Sequence, residues 1–229
     1  MLTGLLFRFY SFSEPIFSDF VLRISCFRCY PAPMAWVIVG LGNPGYEYED
    51  TRHNTGRMAV EDFAKYAKFS EWKEDKKAKS LISRGLIERT IVALVLPNTF
   101  MNKSGSAVAK LVKNQKAAEG LVVVYDDLDL PLGTMKISFN RGSGGHKGVE
   151  SIMRAVKTKK FTRIRIGVSH STASGAIRKP VGDKVILNYI LTKFKAHELE
   201  ELKRVFKRTR SALETIATQG LERAMNEFN

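Results

Sequence analysis

The chain has 229 residues, 44% hydrophobic and 26% charged, enough apolar material for one buried core and too much for general disorder. Lysine and arginine number 37 against 23 aspartates and glutamates, a formal charge of +14 that favours a polyanionic partner, nucleic acid before a negative membrane surface. No apolar run reaches the roughly 18 to 20 residues of a membrane helix, and the only two cysteines, Cys26 and Cys29, exclude a disulfide scaffold and give just a weak metal or redox signal.

Residues 1–33 are rich in Phe, Leu, Ser and Arg, lack lysine and close on Pro31-Ala32-Pro33. This extension reads equally as a mitochondrial targeting segment or as unstructured chain upstream of a start at Met34, with a cytoplasmic protein as the alternative to a mitochondrial one. Residues 34–229 are then the single domain. Trp36 to Val39 is an apolar strand that runs into a Gly/Pro turn, Gly40 to Gly45, and a polar loop holding His53. Apolar residues at helical spacing predict a helix over 56–69, and two β-like runs, 80–86 and 89–96, predict a hairpin. The polar, lysine-rich stretch 71–79 reads as a connection. A helix is expected over 104–115. Leu121 to Val124 is an apolar strand running straight into Asp126, Asp127 and Asp129, which places carboxylates at a strand's end. Next come a strand at 135–139, the glycine-rich NRGSGGHKG, a helix at 149–156 and a strand at 162–168. Residues 170–183 read as a mobile loop or lid, and 196–228 as one long helix with an apolar stripe and a basic face. Strands alternating with helices predict an α/β fold, a twisted mixed sheet covered by helices on both faces.

Gly40 to Gly45, GLGNPG, matches the dinucleotide fingerprint G-x-G-x-x-G. That motif needs a helix to begin within the glycines. Here Pro44 removes an N–H and some ten loop residues intervene before a helix, so the cofactor reading is set aside. A His with a carboxylate is the minimal unit of general-base catalysis. No G-x-S-x-G serine, core cysteine or H-E-x-x-H pair offers another route, which leaves water activated directly. Taken singly, Asn43 reads as a turn residue, Asn102 as a helix cap, Asp126 as a loop acid and His53 as a surface histidine.

Together, VGLGNPG (39–45), Tyr48, TRHNTG (51–56), TFMNKSG (99–105), YDDLDLPLG (125–133), GSGGHKG (142–148) and RIRIGV (163–168) come in an order and spacing that resemble the bacterial-type peptidyl-tRNA hydrolases. The resemblance covers nearly all of residues 36–220. It implies hydrolysis of the ester between a peptide and the 3′ ribose of tRNA, without cofactor or metal. His53 would be the general base and Asp126 would orient it, while Asn43 and Asn102 hold substrate and water. Tyr48, Met101, His146 and Lys147 would meet the substrate, and Lys136 and Arg165 the tRNA phosphates. A monomer acting on peptidyl-tRNA, with no membrane partner, is expected. Lys147 departs from the family, which commonly has asparagine there; an ammonium donates hydrogen bonds and cannot accept them. Lys147 motivates the alternative of a non-catalytic RNA-binding protein that keeps the hydrolase fold.

Overall fold

The computed structural model describes residues 36–172 and 175–229. The extension 1–33, with Cys26 and Cys29, lies outside the described residues, and so does its reading as a targeting segment. In chain order the elements are β1 (Trp36–Gly40), α1 (Thr55–Tyr66), β2 (Lys73–Asp75), β3 (Ser80–Ile87), β4 (Thr90–Pro97), α2 (Ser104–Leu111) and β5 (Leu121–Pro131). They continue with β6 (Met135–Phe139), α3 (Lys147–Val156), β7 (Thr162–Ser171), β8 (Ile177–Arg178), α4 (Asp183–Ile190), α5 (Ala196–Gln219) and α6 (Leu221–Phe228).

Among the described residues the strands form one mixed sheet in the order β2-β3-β4-β1-β5-β7-β6, with β8 paired to β7. β1 lies parallel to β4 and β5, and β5 parallel to β7, while β2, β3, β6 and β8 add antiparallel pairs. Side chains of a strand alternate between faces. Ile38, Val122, Val124 and Ile164 pack on one side with Val60 and Phe63 of α1 and Leu202, Leu213 and Ile216 of α5. Val37, Val39, Val123 and Tyr125 pack on the other with Val108 of α2 and Val149 and Ile152 of α3. The continuous apolar run at 121–124 therefore feeds two cores, as expected of a strand covered on both faces.

Four local expectations are corrected. β5 continues through the acidic run to Pro131, so Asp126 lies within the strand, opposite Ile166 of β7, rather than beyond it. The stretch 71–79 contains the short edge strand β2. The segment 170–183 is not wholly loop, since it carries β8 and leads directly into α4. The terminal helix is two helices, divided at Gly220, whose φ of 90° ends α5. The turn brings the Asn229 side chain beside the outer edge of β6, where Oδ1 accepts from the Ile137 N–H at 2.7 Å and Nδ2 donates to the Ile137 carbonyl at 3.1 Å.

Two features hold the loop in front of α1. Arg52 and Glu198 are both buried, with Nη2 2.6 Å from Oε1, and Arg52 also donates to the carbonyls of Thr192 and Lys193. Its guanidinium lies 4.8 Å from the ring centroids of Tyr189 and Phe194. Gly56, in the first turn of α1, presses on β5: a Cβ there would come 2.1 Å from the Val124 carbonyl oxygen.

Removing one member of a buried ion pair strands the other charge. Arg52→Ala should thus cost about 3–5 kcal/mol in urea unfolding, whereas Arg208→Ala, on an exposed residue of α5 that bonds the Phe228 carbonyl at 3.1 Å, should cost less. Gly56→Ala must push α1 away from β5, an overpacking penalty of about 1–3 kcal/mol. The control Gly142→Ala, where an added Cβ meets nothing within 4 Å, should stay within about 0.5 kcal/mol.

Candidate active site

The first turns of α1 and α3 come from opposite faces of the sheet to the middle of β5, each preceded by a histidine. His53 sits in the 3-10 turn Arg52–Asn54 before α1, and His146 is the residue before α3. Asp126 is 3% exposed and lies between them. His53 Nδ1 is 3.1 and 3.0 Å from the two Asp126 carboxylate oxygens, and His146 Nε2 is 3.0 Å from Oδ1. The two imidazole centroids are 5.0 Å apart. Burial alone would raise the Asp126 carboxyl; the charges of His53 and His146 and their hydrogen bonds outweigh it and hold the group well below the usual carboxylate range.

Because a carboxylate only accepts, His53 donates from Nδ1, and the neutral ring keeps its lone pair on Nε2. That nitrogen has no hydrogen-bond partner among the described residues. The histidine lines a cavity of about 470 Å³ with Asp126, Leu128, His146, Lys147 and the α4 residues Ile186, Leu187 and Ile190. The His53, Asp126 and His146 donor atoms lie within 4.8 Å of one another, a composition that could ligate a metal. As arranged, both nitrogens are committed to the carboxylate by hydrogen bonds that a metal would have to replace.

Asn43 is buried at the end of the glycine turn. Its Oδ1 accepts from the Met101 N–H at 2.8 Å, which fixes the amide orientation and leaves Nδ2 as a donor with no partner among the described residues. Asn54 holds this turn from behind: its Oδ1 accepts from the Asn43 N–H at 2.8 Å and its Nδ2 donates to the Asn43 carbonyl at 3.0 Å. Gly40 to Gly45 thus presents a side chain and opens no helix, since a 3-10 turn at Tyr46–Tyr48 follows it. Met101 is buried in the α2/α3 core, close against Gly148. Asn102, the next residue, is exposed, and Lys103 rather than Asn102 precedes α2 as its cap. Tyr48 is half-buried, edge-on to Phe100 with centroids 6.4 Å apart. None of these four lines the His53 cavity.

Lys136 and Arg165 are cross-strand neighbours on β6 and β7 and line a second cavity, of about 610 Å³, with Arg141 and Arg163. Arg165 Nε donates to Asp127 Oδ2 at 2.6 Å. The two cavities share Tyr125, Asp127, Ser143 and Gly144. Lys147 is the first residue of α3; its side chain is 72% exposed, 3.7 Å from Glu150 Oε2. Sequence reasoning missed Asn54, Arg52 and Glu198. Asn54 had a signal in its place beside His53, whereas Glu198 looked like one more polar residue of a helical face.

The family model "Peptidyl-tRNA hydrolase" matches residues 37–229. A peptidyl-tRNA hydrolase of Herpetosiphon aurantiacus is 41% identical over 196 residues, covering 85% of this chain and 90% of the relative. One from Carboxydothermus hydrogenoformans is 40% identical over 195 residues, covering 85% and 98%. The crystal structure of peptidyl-tRNA hydrolase from Acinetobacter baumannii superposes with a TM-score of 0.76 at 32% identity, covering 85% of this chain and 94% of that one. These relatives are bacterial and give the mitochondrial reading of residues 1–33 no support. Matched by the family model from residue 37 to residue 229, and by relatives about 40% identical over nearly their whole length, the chain belongs to the peptidyl-tRNA hydrolase family.

Proposed function

We propose that this chain, acting as a monomer, hydrolyses the ester between a peptide's C-terminal carbonyl and the 3′ ribose of tRNA, with water as the nucleophile and His53 as its base. The observation that supports this reading is the His53 ring, bonded through Nδ1 to a buried carboxylate and, among the described residues, unpartnered at Nε2. Nε2 takes a proton from water as the oxygen attacks the carbonyl, and Asp126 stabilises the imidazolium. The oxyanion is met by Asn43 Nδ2, a single such donor being worth about 3–4 kcal/mol. Collapse of the tetrahedral intermediate expels the ribose 3′ oxygen, which takes the proton back from His53, so peptide acid and tRNA leave.

Asn102 offers an exposed amide and Tyr48 an aromatic ring to the substrate, while Met101 acts from the core, where its N–H fixes the Asn43 amide. The basic cavity with Lys136 and Arg165 receives acceptor-end phosphates; Asp127 offsets part of the Arg165 charge, so Lys136 contributes more to net attraction. Lys147 serves as a donor at the cavity mouth. None of these steps calls for a metal. Lys147 lies outside the His53–Asp126 pair, which supports the catalytic reading over a binding-only protein.

Purified protein should release peptide from peptidyl-tRNA in EDTA. His53→Ala should lower kcat about 10²- to 10⁴-fold while circular dichroism is unchanged; full activity in that variant would eliminate His53 as base, and binding without turnover in the wild type would favour the RNA-binding alternative. Asp126 contributes stability that is fully present above its ordinary value near pH 4 and lost as pH falls through its depressed folded value. The stability gap between wild type and Asp126→Asn in urea should close as the pH falls into strong acid.

A further inference from the structure

We propose that the N-terminus of α3 locks His146 in the tautomer with its proton on Nε2. His146 is then a fixed donor to Asp126, a positioning residue, and His53 is the one ring of the array free to take a proton from water. This rests on the reading of His53 as base.

The lock is read from both ends of the ring. His146 caps α3, and its Nδ1 faces the backbone N–H groups of Gly148 and Val149 at 3.2 and 3.3 Å. A backbone N–H only donates, so Nδ1 must offer a lone pair. A neutral imidazole has one proton, which must then be on Nε2, and Nε2 lies 3.0 Å from an oxygen that only accepts. The other tautomer sets N–H against N–H at one end and lone pair against carboxylate at the other. A doubly protonated ring repeats the first conflict at the positive end of a helix dipole.

The groups facing His146 do not undo this. Asp126 accepts from it, His53 is turned to the same carboxylate, and Tyr125 lies edge-on at 4.8 Å, its phenol pushed up by burial and therefore neutral. Lys147 is paired with Glu150, and Lys179 and Asp183 line the far side of the cavity. A metal at Nε2 would drive the ring proton to Nδ1 and break the cap, so the same lock turns a metal-like trio into a proton device.

Asparagine reproduces the Nδ1 end of histidine and glutamine the Nε2 end, so two variants separate the two bonds. His146→Asn keeps the cap and loses the donor; His146→Gln keeps the donor and weakens the cap. Activity should follow the donor, with kcat in His146→Asn down about ten- to a hundredfold and KM little changed, and His146→Gln much closer to wild type. Thermal stability should run in the opposite order. Long-range 1H–15N spectra of the wild-type rings, with the His146 signals assigned by their loss in His146→Asn, should show Nε2–H and a bare Nδ1. An Nδ1–H signature, or equal kcat in the two variants, would overturn the lock. Absence of turnover in the wild type would instead defeat the hydrolase reading, while the spectra still decide the tautomer.

Discussion

A carboxylate that is 3% exposed cannot stand alone inside a protein, and the arrangement of this molecule around Asp126 follows from that constraint. Water is replaced by donors from two remote segments: the turn before α1, 73 positions upstream, and the turn before α3, 20 positions downstream. Each segment is held independently. Arg52 and Glu198 anchor the first, and the cap of α3 anchors the second. The bare α-carbon of Gly56 sets how closely α1 can approach β5, and so governs the distance between His53 and its carboxylate. The site is dear to fold but cheap to keep organised, because each donor is already oriented when substrate arrives.

The distribution of charge is as informative as its sum. Although the chain carries a surplus of +14, the His53 cavity is bordered by Asp126, Asp127, Asp129 and Asp183 as well as apolar residues of α4. The neighbouring cavity gathers Lys136, Arg141, Arg163 and Arg165. The His53 cavity therefore mixes these carboxylates with Lys147 and Lys179, whereas arginine and lysine dominate its neighbour. On the proposed reaction, an ester joining an RNA to a peptide belongs at the wall between them, where Tyr125, Asp127, Ser143 and Gly144 face both sides.

The parts of the fold legible in the sequence were those whose periodicity matched their burial: β1, the β3–β4 hairpin, the apolar half of β5, and α1. β2 is Lys-Glu-Asp, which carries no apolar signal because an edge strand needs none. The second half of β5 is acidic, and a run of carboxylates reads as loop when the histidines that neutralise one of them are out of view. α4 buries chiefly Ile190, so its helical period was masked by exposed apolar residues. For the site, Asn43, His53 and Asp126 stood out through their shared motifs. The engagement of His146 with Asp126 did not, because it depends on two backbone N–H groups and on a ring orientation that no spacing encodes.

Among the described residues the main strand order of the sheet ends at β2 and at β6, and each end is closed in its own way. One is the three charged residues of β2. The other is β6, where the Asn229 amide bonds both backbone groups of Ile137 as a neighbouring strand would. An open edge is a template on which an extended chain can add itself as another strand. For a member of the peptidyl-tRNA hydrolase family, a peptide chain is part of the substrate. By filling the middle of β6 with its own side chain, the fold withholds both backbone groups of Ile137 from any extended chain that approaches this edge.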